Sequence, residues 1–393
     1  MIKPFHNRIR RFCAFLIGLV FLVSGILKLM DPVGTSLIVT SYLKFFHLGF
    51  LLPLAKAGGI ALALLETLCG ISLITGVARK LTAVLTSVLI FVFTVITVIL
   101  LIANPDMDCG CFGKAVSLTH LQSFLKNVVL SLMALVAFIP FKDFGKGRAH
   151  RMAAFGLAVL SVVAAFTYSY SRLPAVDFGP YRTGTVLLAS EQQTPGHMDY
   201  YIYEKDGKRG SFTLYNLPDS TWTFVGVDSL DRSSLSLPSE TPYLSARTPE
   251  GEYVDTLLTE GKVVLFAVYD PSSLTKKRTD AIISLSIAAS EAGFRPMLLL
   301  SSESKDLPPV LEDIAYYSDY KDLVSLNRSN GGSVWLSDGM ILGKWSVSHA
   351  PSSSEIGRMS LRERVDTVIH NVSRHRITFY GFLTYLLAIL IFV

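Results

Sequence analysis

The stretch DMDCGCFG, Asp106 to Gly113, holds two of the four cysteines in a chain of 393 residues. Cysteines at i and i+2 around a glycine support several chemistries. Gly110 bends freely, so Cys109 and Cys111 can close a small disulfide ring, and a strained ring of that kind is readily reduced. That ring either turns over as a redox element or locks the turn. The pair can also remain as free thiols, whose thiolate form is the nucleophile. As half of a metal site it lacks a second cysteine pair. Only Asp106, Asp108 and His120 stand near it in sequence, and no metal is assigned. The other two cysteines, Cys13 and Cys69, fall at different depths of apolar runs and read as inert, buried side chains.

Ionisable side chains inside apolar runs are the second source of chemistry. Such groups are costly in a bilayer and usually face a partner or a cavity. Glu66 and Lys126 lie at nearly matched depths, about 15 Å and about 12 Å from the same end at a rise of ~1.5 Å per residue. They are expected to pair with each other beneath the CGC turn. The pair either fixes helix packing or serves the cysteines as a proton route or quinone-headgroup site. Lys28 falls nearer the surface and is expected to snorkel. Lys114 and a helix start at Ser117 supply a cation and an N-terminus that favour a thiolate. His47 and His120 read as interfacial side chains.

The element that must position these groups is a membrane bundle. The chain is 50% hydrophobic and only 17% charged, with mean hydropathy +0.45, too apolar for an ordinary soluble protein. Phe12–Leu27, Ala57–Ala78, Leu81–Ala103, Leu118–Phe141 and Met152–Ser171 each approach the roughly 20 residues that cross a hydrocarbon core. Ile377–Val393 is shorter, and either spans the bilayer or lies in its interface. The first run follows Arg8, Arg10 and Arg11 but precedes Lys28-Leu29-Met30-Asp31, not a small-residue cleavage site. It is read as a retained span. Basic residues gather at the N-terminus, at Arg79-Lys80, and at Lys142, Lys146, Arg148 and Arg151, which marks one cytoplasmic side. The CGC turn, the Asp31–Lys56 loop and the Ser171–Arg376 region then lie outside. In a bacterial cell with a multi-pass inner-membrane protein, that is the periplasm. The net charge of +5 is a topology signal and gives no support to nucleic-acid binding.

Beyond a fifth span at 146–174 the composition turns water-soluble. Residues 175–248 read as β-rich, with strands at Thr185–Ser190, Asp199–Glu204, Arg209–Asn216 and Trp222–Asp228, and a hairpin turn at Asp206-Gly207. In 249–375, Lys262–Tyr269 is an almost continuous apolar strand, as buried parallel strands are. A helix at Ser273–Ala292 and a strand at Pro296–Leu300 complete a βαβ unit. Ser333–Ser337 and Met340–Trp345 flank Asp338-Gly339 as a hairpin, and Glu355–Arg374 reads as a helix leading into the membrane segment 376–393. Trp222, Trp335 and Trp345 are expected to pack, not to bind ligand. The Lys276-Lys277-Arg278 run opens a solvated helix face.

The element order of 249–375 resembles a thioredoxin-like domain. Its Cys-x-x-Cys is replaced by residues around Asp270-Pro271-Ser272-Ser273, and Asn330-Gly331-Gly332-Ser333 stands where that fold carries a cis-proline. No cysteine follows Cys111, so this domain performs no dithiol chemistry of its own. The first 145 residues resemble the DoxX-like/MauE family of four-helix membrane proteins. The resemblance rests on Phe21, Ser24-Gly25, Lys28 and Asp31-Pro32; on Glu66, Gly70, Leu73 and Gly76; on Asp108-Cys109-Gly110-Cys111-Phe112-Gly113; and on Lys126-Asn127. The CGCFG turn favours the MauE branch. The resemblance implies a role in disulfide formation, maturation or export of partner proteins, which in the namesake branch is a methylamine dehydrogenase subunit.

The expected fold is therefore an α-helical membrane bundle, a four-helix DoxX/MauE-like core (1–145) plus extra spans. It carries an extracytoplasmic α/β thioredoxin-like domain and a β-rich insert. Its partners are the lipid bilayer and an extracytoplasmic protein undergoing maturation. Cys109 and Cys111 are the redox pair, Glu66 and Lys126 the intramembrane pair, and a membrane quinone the cofactor if the cysteines turn over. The competing reading is a non-catalytic membrane-anchored scaffold whose thioredoxin-like domain binds the partner.

Overall fold

A computed structural model of the chain describes residues 2–105, 107, 109–116, 118–139, 149–174, 176–187, 199–205, 208–212, 222–229, 242–304, 307–361 and 364–391. Contacts divide the chain into two units, Met1–Gly179 with Ile369–Val393, and Pro180–Val368. Asp106, Asp108, Ser117, the Lys142–Arg148 part of the basic loop, Asp206-Gly207 and the strand ends expected at 188–190 and 213–216 lie outside the described residues.

The first unit is helical. It comprises α1 (Ile2–Met30), α2 (Pro32–Phe45), a 3-10 turn Gly49–Leu54, α3 (Ala55–Thr75), α4 (Arg79–Ala103), a short extended segment β1 (Cys111–Lys114), α5 (His120–Phe138) and α6 (Ala149–Ser171). Among the described residues, five helical segments are long and apolar enough to cross a membrane: Arg8–Met30, Gly49–Thr75, Arg79–Ala103, His120–Phe138 and Ala149–Ser171. Helix α4 leaves Phe91, Val95 and Ile102 exposed. A surface like that suits lipid and not water. The unit makes the chain a multi-pass membrane protein.

Helices α1 and α3 pack almost backbone to backbone. A Cβ at Gly25 would stand 2.2 Å from Thr67 Oγ1 and 2.8 Å from the Ala63 carbonyl, and one at Gly70 2.5 Å from the Leu22 amide nitrogen. Small residues of this kind let membrane helices approach closely. The consequence is that polar side chains one turn further along α1 come within bonding range of α3.

The Asp31–Lys56 segment is not the simple loop that its composition suggests. Asp31 caps α2 by accepting from the Gly34 amide at 2.8 Å, and Pro32 takes the first helical position, both favourable helix-start chemistry. Thr35 Oγ1 donates back to the Lys28 carbonyl at 2.9 Å. Pro32, Gly34, Thr35 and Ile38 are buried, so α2 folds over the end of α1.

The second unit contains two sheets. The strands β2 (Asp199–Lys205), β3 (Lys208–Phe212) and β4 (Thr223–Ser229) form an antiparallel sheet in the order β3-β2-β4. Of the expected Thr185–Ser190 strand, the described part makes one isolated bridge, Val186 with Met340. A short helix α7 (Thr256–Thr259) leads into β5 (Lys262–Val268), and α8 (Lys276–Glu291) into β6 (Arg295–Leu300). Then follow α9 (Pro309–Glu312), β7 (Ala315–Tyr317), α10 (Tyr320–Leu326), β8 (Gly332–Ser337), β9 (Met340–Trp345), α11 (Ser353–Leu361) and α12 (Arg364–Ile391).

The second sheet runs β7-β6-β5-β8-β9, with β5, β6 and β7 parallel and β8 and β9 antiparallel to their neighbours. Strand β5 is buried along Val263–Val268, which explains its unbroken apolar sequence. Trp335 is fully buried and meets Phe294 edge to face at 4.8 Å. The C-terminal part of α12 packs Leu386 and Ile389 with Leu22 of α1, Ala63 of α3 and Ala158 of α6.

Candidate functional site

The CGC turn sits at one end of the helical unit, between the spans α4 and α5. Gly110 and Gly113 both take positive φ, +64° and +65°, which glycine adopts without strain. The Gly113 amide donates to the Gly110 carbonyl at 3.1 Å and closes the turn. A side chain at residue 110 would collide with Ile38 Cγ2 of α2 at 2.3 Å. The glycine between the cysteines is therefore demanded by both backbone and packing.

Cys109 and Cys111 are free thiols with their Sγ atoms 3.7 Å apart. Their carbonyls are clasped from two helices. The Tyr42 hydroxyl of α2 donates to the Cys109 carbonyl, and the Ser24 hydroxyl of α1 reaches the Cys111 carbonyl at 2.7 Å. Buried Ser123 of α5 stands beside the Cys109 thiol. The capping box of Thr119 and Gln122 starts α5. From that start Ser123, Asn127 and Leu130 fall on its buried face.

The two thiols differ in acidity. The Cys109 thiol donates to the Cys111 sulfur and, against the cost of burial, Lys126 and Lys28 add positive charge, so Cys111 is lowered to about 5. The same sulfur–sulfur hydrogen bond, with burial, pushes Cys109 upward. The pair thus combines one ready thiolate with one retained proton, an arrangement suited to nucleophilic exchange.

The intramembrane ion pair differs from the expectation. Glu66 pairs with Lys28, not with Lys126: Lys28 Nζ lies 2.6 and 2.8 Å from the two carboxylate oxygens. Glu66 is 1% exposed and Lys28 7%, so Lys28 does not snorkel. The α1–α3 approach brings the two within reach, and α2 covers the end where Lys28 was expected to find water. Ser24 Oγ is 2.7 Å from Glu66 Oε2 and accepts from Lys28 Nζ at 3.2 Å. The single Ser24 hydroxyl proton serves either Glu66 or the Cys111 carbonyl, which links the ion pair to the turn. Lys126 instead stands over the Phe112 ring at 5.1 Å and beside Cys111. Among the described residues it has no carboxylate partner.

These groups line one cavity of about 230 Å³. Ser24, Lys28, Glu66, Cys109, Cys111, Lys126 and Asn127 supply its polar wall, and Phe21, Ile38, Ile90, Phe93 and Ile96 are among its apolar residues. Sequence reasoning placed Cys109, Cys111, Glu66 and Lys126 here but missed Ser24, Lys28 and Tyr42. The signal for the first two was present. Ser24 and Lys28 are spaced i, i+4 and share a helix face. His120 Nε2 donates to the Pro105 carbonyl at 3.0 Å. Among the described residues no three His, Cys, Asp or Glu side chains cluster as metal ligands; Asp106 and Asp108 lie outside them.

In the second unit, the turn Asp270–Ser273 after β5 and the loop before β8 are tied together. Asn330 Nδ2 donates to the Asp270 carbonyl at 2.7 Å and to Ser273 Oγ at 2.9 Å, while the Asp270 amide donates to Asn330 Oδ1 at 3.1 Å.

Residues 7–140 match the family model of methylamine utilisation protein MauE, and residues 200–229 match a domain of unknown function, DUF8463. No curated protein and no solved structure matches the chain.

Proposed function

With the match of residues 7–140 to the MauE model as premise, we propose that this protein handles disulfides of an extracytoplasmic partner during its maturation. Cys109-Gly-Cys111 is the exchange site. The observation that carries the reading is the pair itself: two thiols 3.7 Å apart, their carbonyls clasped by Ser24 and Tyr42, at a cavity that holds a buried ion pair. In the forward direction Cys111, as thiolate, and Cys109, as thiol, give up two electrons and one proton to a two-electron acceptor and become a disulfide. A reduced partner then returns the electrons by thiol–disulfide exchange. The matched family is named for methylamine utilisation. For this chain the client is defined by chemistry, as an exported protein with reduced cysteines.

In this reading the protein sits in a bacterial inner membrane with its N-terminus cytoplasmic and residues 175–375 periplasmic. The basic flanks of the spans support that orientation. Residues 249–375 act as a degenerate thioredoxin-like domain that holds the client. The β7-β6-β5-β8-β9 order, and the tie between Asn330 and the Asp270–Ser273 turn, support it. The second reading, a non-catalytic anchored scaffold, is favoured by that same turn, which carries no cysteine.

The test compares the wild type with a Cys109→Ser/Cys111→Ser variant in cells, by mass spectrometry of acid-trapped thiols on exported proteins. Accumulation of reduced cysteines in at least one client of the variant is expected. Client oxidation equal to wild type would refute the redox reading and leave the scaffold.

A further inference from the structure

Disulfide formation at Cys109 and Cys111 needs an acceptor for two electrons, and none of the chain's other cysteines is placed to serve. Cys13 and Cys69 pack with α4 and α5 residues in the core of the bundle, and no cysteine follows Cys111. The acceptor must then be a small molecule that reaches the sulfurs. The cavity is the route by which one can. It lies within the helical unit, its wall is mostly aliphatic and aromatic, and Cys109 and Cys111 both line it. A cavity of about 150 Å³ holds a benzene ring, so 230 Å³ takes a substituted six-membered ring.

The polar groups are chosen for carbonyl oxygens. Lys28 is neutralised by Glu66 at 2.6 Å, whereas Lys126 has no carboxylate among the described residues and faces the same cavity as Cys111. Asn127, the next residue, donates one amide hydrogen to Thr97 Oγ1 at 3.2 Å and has a second to give. An ammonium and an amide beside a ring-sized apolar space stabilise negative charge developing on oxygen. An acyl chain would make no use of either group.

We propose that this cavity seats the ring of a lipid-soluble quinone, with Lys126 and Asn127 at a carbonyl oxygen and Cys111 against the ring. The proposal rests on the thiol-exchange reading above and names its electron acceptor. The balance is one thiolate, one thiol, one quinone and one proton from solvent to one disulfide plus one hydroquinone. The Cys109 S–H bond breaks and one S–S bond forms. Both electrons pass to the ring, and the Cys109 proton and the solvent proton end on its two oxygens. Glu66 and Lys28, joined to the turn by Ser24, hold the local charge constant while this happens.

The experiment uses the full chain in lipid nanodiscs, reduced and freed of reductant, with menadione and decylubiquinone as probes. Hydroquinone formation is followed by absorbance and thiols by alkylation mass shift. One quinone reduced per two thiols lost is expected. Ile96→Trp and, on another wall of the cavity, Val39→Trp fill the space, and each should slow quinone-driven oxidation at least tenfold. Helicity by circular dichroism and the size-exclusion profile should match wild type in both, which reports that they are folded. In Cys109→Ser, bound menadione should give a long-wavelength absorption with the Cys111 thiolate that Lys126→Met weakens. If glutathione disulfide oxidises the pair but neither quinone does, or if the tryptophan variants react as fast as wild type, the quinone site is wrong and the exchange reading stands. If no oxidant converts the pair, both fall.

Discussion

At the scale of residues, the asymmetry between two neighbouring cysteines is the feature with chemical consequence. Cys111 is lowered to about 5, first by the hydrogen bond from the Cys109 thiol and then by Lys126 and Lys28. A lowered acid constant means thiolate at every pH above it. Alkylation of Cys111 by iodoacetamide should therefore be fast and nearly constant from pH 8 down to about 6, and fall only as pH drops through about 5. An ordinary thiol would lose reactivity below about 8.5. Lys126→Met, which removes a cation, should move that fall to higher pH. A wild-type profile with its midpoint near an ordinary thiol's would contradict the arrangement. The sequence made the pair legible through spacing and glycine alone. It could not reveal which sulfur holds the proton, because that depends on Lys28, Tyr42, Ser123 and Lys126 arriving from three different helices.

At the scale of elements, the crossing of α1 and α3 decides the electrostatics. Depth along each helix was readable from the sequence, and depth alone matched Glu66 with Lys126. Rotation about the helix axis, which depth does not fix, places Ser24 and Lys28 toward Glu66 where Gly25 and Gly70 let the backbones meet. Helix α2 was illegible for a related reason. Its short sequence carries no charge before Lys44 and several β-branched residues, so its helicity depends on the Asp31 cap and on burial of Ile38. Breaking a buried pair from one side leaves an uncompensated charge, typically about 3–5 kcal/mol. Lys28→Met and Glu66→Gln should each lower the thermal midpoint in detergent. The double variant should lose clearly less than the sum, with a coupling of about 2 kcal/mol. Pairing Lys126→Met with Glu66→Gln should give additive losses. The reverse pattern would restore the depth-matched pair and overturn the geometry.

At the scale of the whole molecule, two chemistries are divided between two units. The helical unit holds all four cysteines and the ion pair, and the second unit holds two sheets and none of them. The spans were legible because a bilayer imposes a length and an apolar composition that few other environments demand. The parallel β5–α8–β6 unit was legible because a strand buried on both faces reads as a continuous apolar run. The five-strand order was not, since it depends on pairings between β5 and β8 some 70 positions apart in register, such as Val263 with Leu336. The central claim is that Cys109 and Cys111 are one reversible dithiol. Its most direct measurement equilibrates the full chain in nanodiscs with glutathione buffers of graded redox ratio, traps with a mass-shifting alkylator, and maps the labels. A single two-electron transition is predicted, in which labels on Cys109 and Cys111 disappear together as the buffer becomes oxidising. Labels on Cys109 and Cys111 that persist across the full range, or disappear independently, would contradict it.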